Sequence, residues 1–138
     1  TEVSARQAEA LLLPAADAAK AYTLHCVSHA HIDMNWMWGI QETVPITLDT
    51  FRTILGMLEE FDQFTFSQSQ ASTYQIAEVY DPEMFEQIKK YVKEGRWEIS
   101  ASTWVEADKN MPSTESACRH PLYTKKYFEE KFYGMAVG

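Results

Sequence analysis

Val27-Ser28-His29-Ala30-His31-Ile32-Asp33-Met34-Asn35-Trp36 is the stretch whose reading decides the fold. It follows an apolar and aromatic run from Tyr22 to Val27, so it reads as a strand that continues through His31 and ends in a polar cluster. Side chains alternate along an extended strand, which puts His29, His31 and Asp33 on one face. Imidazole nitrogen and carboxylate oxygen suit zinc and its divalent neighbours, and open α/β sheets and barrels carry their chemistry at strand ends. The same spacing also arises by accident, because histidine is a common polar residue at strand ends. Trp36 and Trp38 follow, then Glu42 and Thr43. Aromatic faces thus stand beside a polar cluster, as in carbohydrate and small-molecule pockets, with Trp38 reading as core.

A second stretch has the same form. Gly95 stops a helix, Arg96 to Val105 is rich in aromatic and β-branched residues, and the run breaks in a polar turn before Pro112. Glu106 and Asp108 therefore emerge from the carboxyl end of a strand, although loop acids taken alone read as solvated. Between the two stretches, Glu42 to Glu60 carries Ile46, Phe51, Ile54, Leu55 and Leu58 at helical spacing, with Thr43-Val44-Pro45 as a possible start. Phe64 to Gln70 alternates as a strand should. Asp81-Pro82 opens a helix with Met84, Phe85, Ile88, Tyr91 and Val92 on one face. Ser113 or Thr114 caps a third helix running towards Gly134, whose interior Pro121 costs about 3 kcal/mol unless the helix kinks there. Strand and helix in alternation specify an α/β fold with a parallel sheet and right-handed crossovers.

His29-Ala30-His31-Ile32-Asp33-Met34-Asn35-Trp36 together with Thr103-Trp104-Val105-Glu106-Ala107-Asp108 resembles the two N-terminal signatures of the glycoside hydrolase family 38 α-mannosidases, in particular their bacterial branch. The likeness runs from about Tyr22 to about Phe132, with Gly95-Arg96-Trp97-Glu98, Phe66-Ser67-Gln68-Ser69-Gln70 and Asn110-Met111-Pro112-Ser113 as further matching stretches. It implies part of a parallel (β/α)7-type barrel, about its first three strand-helix units. Residues 21–138 would be the N-terminal portion of the catalytic domain, and 1–20 a linker or the end of a preceding segment. The implied metal ligands are His31, Asp33 and Asp108 on zinc (Zn2+), with another divalent ion such as Co2+ as an alternative. Asp108 is also the implied nucleophile and Trp36 the platform for the sugar ring. His29 matches the motif's leading histidine and is read as orienting the site or a neighbouring ligand from outside the ligand set.

The implied reaction is retaining hydrolysis of terminal α-mannose residues from an α-mannoside oligosaccharide. One carboxylate attacks the anomeric carbon, and a second carboxyl group about 5 Å away acts first as acid and then as base. Metal coordination would hold Asp108 ionised, since a nearby cation depresses a carboxylate pKa. The family's fourth ligand, a His, and its general acid, an Asp, lie well downstream of the second signature. After Asp108 this sequence has one further His, His120, and no Asp; His120 falls within the third helix and is not taken as the ligand. Glu115 is an acid with nothing beyond composition to recommend it.

At 138 residues the chain falls short of the roughly 200 usual for a complete barrel, and it begins at Thr1 without an initiator Met, so it reads as the first part of a longer enzyme, inactive alone. Its net charge of −8 shows no basic patch for phosphate backbones, which argues against nucleic acid. Leu11-Leu12-Leu13 is cut by Pro14, too short for a membrane span. Cys26 and Cys118 read as reduced, packed thiols in a cytoplasmic setting. For the longer enzyme, self-association into a homo-oligomer is the expectation. Two other readings stand beside the glycosidase: a metal-dependent deacetylase or amidohydrolase, and a non-catalytic carbohydrate-binding or structural fragment.

Overall fold

The computed structural model describes residues 1–132. Its elements in order are α1 (Glu2–Leu12), a 3-10 turn, α2 (Ala16–Ala19), β1 (Ser28–His29), α3 (Ile40–Glu60), β2 (Phe66–Gln70), α4 (Ala71–Tyr80), α5 (Pro82–Lys93), β3 (Trp97–Thr103) and α6 (Thr114–Lys131). The strands form one parallel sheet in the order β1-β2-β3. Among the described residues this sheet is open, so the architecture seen is α/β with three parallel strands.

Alternation along β2 and β3 builds the core. Phe66, Gln68 and Gln70 of β2 and Trp97 and Ile99 of β3 are buried, while Ser67 and Ser69 are half-buried and Glu98 and Ser100 exposed. The buried face receives Phe51 and Leu58 of α3, Tyr74 of α4, Phe85 and Ile88 of α5, and Phe128 of α6. Trp97 is its centre, edge-on to Phe66 and Phe51 at centroid distances of 4.6 and 5.1 Å. Its indole N–H donates to the Tyr74 hydroxyl at 2.8 Å, and that hydroxyl donates to the Gln68 carbonyl at 3.1 Å. This chain of bonds links β3, α4 and β2 where no water reaches.

Several local expectations hold. The Asp81 carboxylate accepts from the Met84 N–H at 3.0 Å, Pro82 fills the first turn of α5, and Gly95 ends it at φ 72°. Ser113 caps α6 through the Ser116 N–H, and that helix continues through Pro121 to Lys131; Gly134 lies outside the described residues.

Others are corrected. The first strand does not run from Tyr22 to His31: it is Ser28–His29, and Tyr22, Leu24 and Val27 are exposed. Its pairing with β2 covers two residues, Ser28 opposite Phe66 and His29 opposite Ser67; the apolar run before it lies ahead of the start of β2 and stays exposed. Cys26 and Cys118 are likewise exposed thiols and not packed ones. The helix read from Glu42 starts at Ile40, and its buried stripe is Thr43, Thr47, Phe51, Leu55 and Leu58, leaving Ile46 exposed. Thr43 and Thr47 tolerate burial because each hydroxyl donates to the carbonyl four residues back, to Gly39 at 3.1 Å and Thr43 at 2.8 Å. Helix α4 follows β2 with no intervening loop, and sequence reading left it unassigned.

Tyr74→Phe should therefore cost about 1–3 kcal/mol, because it leaves the Trp97 indole N–H without its acceptor in a dry core. A urea midpoint lower than wild type checks this, with exposed Tyr80→Phe as control; an unchanged midpoint for Tyr74→Phe refutes it.

Candidate functional site

Parallel pairing aligns the carboxyl ends of all three strands on one edge, and the chain leaving each strand carries the polar residues singled out above. Buried Gln70, the last residue of β2, ties the edge together. Its amide N–H donates to the Ile32 carbonyl at 2.7 Å, and its amide oxygen accepts from the Glu106 N–H at 3.5 Å. One side chain thus holds the segment after β1 and the segment after β3. The register between β2 and β3 also shifts between Gln68 and Gln70, and the Trp104 carbonyl accepts from the Ser72 N–H at 3.0 Å.

Around this tie four titratable side chains meet. His31 Nε2 lies 3.0 Å from Asp33 Oδ1, and His31 Nδ1 is in close contact with Glu106 Oε2. Glu106 Oε1 accepts from the Ser69 hydroxyl at 2.5 Å and lies 3.6 Å from His29 Nε2. His29 Nδ1 donates to the Ser67 carbonyl at 2.8 Å. The hydrogen bond to Asp33, aided by the Glu106 charge, raises the His31 pKa against its partial burial. Partial burial pushes Glu106 up, but the Ser69 hydroxyl and the His31 charge outweigh it and hold the carboxyl below the usual range.

His31, Asp33 and His29 thus sit together, although strand alternation is not what brings them there, since the strand ends at His29. Asp108 lines the same cavity as His31, Ser69 and Glu106, about 730 Å³ in volume, and its Oδ1 accepts from the Asn110 N–H at 3.0 Å. Donor atoms pair with one another here: among the described residues no three His, Cys, Asp or Glu side chains are gathered so as to hold a metal ion. The donor chemistry nevertheless fits zinc. Two ligands of a tetrahedral ion at 2.0–2.2 Å stand about 3.4 Å apart. The His31 to Asp33 separation of 3.0 Å is within a small side-chain adjustment of that.

Trp36 is 71% exposed at the tip of a turn held by buried Thr43. The Thr43 hydroxyl oxygen accepts from the Asn35 N–H at 3.4 Å and from the Trp38 indole at 3.2 Å. Asn35 takes φ 48°, a left-handed conformation that Asn adopts at small cost. Trp38 is half-buried and edge-on to Trp36 at 6.1 Å, so it props the exposed ring from the side and is not itself core. Sequence reading passed over Glu106 as solvated; its spacing of two from Asp108, like that of His31 from Asp33, was the available signal. It also passed over Gln70.

The model of the Glycosyl hydrolases family 38 N-terminal domain matches residues 21–137. Alpha-mannosidase G of Dictyostelium discoideum is 40% identical over 106 residues, 77% of this chain and 10% of that protein. Human Alpha-mannosidase 2C1 is 32% identical over 111 residues, 80% of this chain and 11% of that protein. The chain therefore spans about a tenth of the length of the curated relatives it matches. The crystal structure of a glycosyl hydrolase family 38 protein from Enterococcus faecalis superimposes with a TM-score of 0.67 at 24% identity, covering 81% of this chain and 13% of that one.

Gln70→Leu keeps the volume but cannot donate to the Ile32 carbonyl, so it should lower stability by about 1–3 kcal/mol and speed amide exchange at Glu106. Exchange at Glu106 as slow as in wild type would show that Gln70 does not tie the two segments.

Proposed function

Since the chain belongs to glycosyl hydrolase family 38 through its N-terminal domain, we propose that it forms the first strand-helix units of the catalytic barrel of a zinc-dependent retaining α-mannosidase. The observation that carries this reading is that His31, 3.0 Å from Asp33, lines the same strand-end cavity as Asp108. His31, Asp33 and Asp108 are the residues that would hold the ion. When bound, it supplies positive charge that keeps a carboxylate ionised and a grip on adjacent sugar hydroxyls. The two relatives' names, alpha-mannosidase, support an α-mannoside substrate.

Asp108 then acts as the nucleophile that attacks the anomeric carbon from the cavity wall. The partner carboxyl must lie about 5 Å from it to protonate the leaving oxygen and later deprotonate water. No residue of this sequence after Asp108 matches the family's acid, so that role falls to a longer chain. Trp36, with an open indole face, stacks the apolar face of the sugar ring. A cytoplasmic setting is part of the proposal and rests on composition; among the described residues no helix is long and apolar enough to cross a membrane.

In the longer enzyme, Asp108→Asn should abolish hydrolysis of an aryl α-mannoside and weaken zinc retention, whereas His31→Ala should chiefly lower zinc affinity. Activity and metal content of both variants check the assignment, and near-full activity of Asp108→Asn refutes it. The 138 residues alone, supplied with zinc, should show no appreciable turnover. General acid catalysis is worth about 10²–10⁴ in rate, and they lack the acid. A robust bell-shaped pH profile from this chain would mean that Glu106 or Glu115 serves as that acid. Hydrolysis of an acetylated sugar in place of the mannoside would favour a deacetylase.

A further inference from the structure

We propose that Glu106 is a positioning residue that holds the Nδ1–H of His31, so that Nε2 of the same ring keeps its lone pair for the metal. The inference rests on the zinc reading above and assigns a residue that reading leaves idle.

An imidazole ligand offers one nitrogen to a metal only if the proton sits on the other. In this structure the two nitrogens face different carboxylates. Nε2 faces Asp33, 3.0 Å away, and Nδ1 faces Glu106. Asp33 and His31 are the pair proposed to share the ion, so the gap between Nε2 and Asp33 is where it would lie. Glu106 stands on the opposite side of the ring, where a carboxylate accepting from Nδ1–H fixes both tautomer and ring orientation.

Glu106 is itself held. The Ser69 hydroxyl donates to its Oε1 at 2.5 Å, and its backbone N–H meets the buried Gln70 amide oxygen at 3.5 Å. Each carboxylate oxygen is therefore engaged, one by Ser69 and one by His31, which marks Glu106 as an orienting group and not a ligand. His29 contributes less: its Nδ1 is committed to the Ser67 carbonyl, and its Nε2 is 3.6 Å from Glu106, too far for a hydrogen bond. The orienting role that the sequence offered to His29 passes to Glu106. Because Ser69 and Gln70 end β2 and Glu106 follows β3, the orientation of a ligand carried after β1 is set from the ends of the other two strands.

The test uses this chain with ¹⁵N-labelled histidine at alkaline pH, where long-range ¹H–¹⁵N spectra report which nitrogen carries the proton. Wild type should show His31 as the Nδ1–H tautomer. Glu106→Ala should lose that preference, and Glu106→Gln should keep it, since the amide oxygen still accepts. In zinc titrations of the same proteins, Glu106→Ala should weaken binding about 10- to 100-fold, with Glu106→Gln recovering most of the loss. An Nε2–H tautomer in wild type, or a tautomer indifferent to Glu106→Ala, overturns the proposal. So does a Glu106→Gln variant that loses zinc as completely as Glu106→Ala, because that marks a direct ligand. If the tautomer follows Glu106 while wild type takes up no zinc, the hold on His31 stands and the zinc reading is what fails.

Discussion

Parallel pairing of Phe66–Gln70 with a strand on either side is the constraint from which the rest follows. Parallel strands all end on the same edge, so chain segments far apart in sequence are delivered to one place. Residues 29–33, 67–70 and 104–108 meet there, and the single buried amide of Gln70 contacts both outer segments. An antiparallel arrangement of the same strands would send Glu106 to the far end of the sheet from His31. The chemistry proposed for the edge is thus a consequence of topology before it is a matter of particular side chains.

The same strand serves two environments through its period of two. Phe66, Gln68 and Gln70 face the helices and Ser67 and Ser69 the other side, where the Ser67 and Ser100 hydroxyls lie 2.8 Å apart and Ser69 reaches Glu106. Burying two glutamines is costly unless they are bonded, and most of their groups are: Gln68 accepts from the Ser69 N–H at 2.9 Å, and Gln70 makes the two contacts described above. Polar burial here contributes placement of the site more than stability, which comes from the aromatic cluster around Trp97.

What the sequence made legible is what short-range chemistry dictates. Asp81 with Pro82, Gly95, Ser113 and the alternation of Phe64 to Gln70 specify caps, a stop and a strand by local rules, and those features appear where they were expected. What it concealed depends on neighbours. Tyr22 to Val27 is apolar enough for a strand but pairs with no strand among the described residues, and β1 is limited to Ser28–His29. Ile46 fits a helical stripe as well as Thr43 or Thr47, and only the position of the sheet decides which of them is buried. Glu106 and Gln70 look like ordinary polar residues until three strand ends are brought together. The residues of the family's motif lie on the strand-end edge, and the contacts that orient them come from Ser69, Gln70 and Glu106, brought there by the sheet.

The central claim is that His31, Asp33 and Asp108 share one metal ion at the carboxyl ends of the strands. The most direct measurement is a crystal structure of the zinc-loaded protein with anomalous diffraction recorded at the zinc edge. The account predicts a zinc peak between His31 Nε2 and Asp33, about 2.0–2.2 Å from ligating atoms of both residues and of Asp108, with Glu106 bonded to Nδ1 and not to the ion. A peak that leaves out Asp108, or a zinc bound elsewhere on the chain, would contradict it.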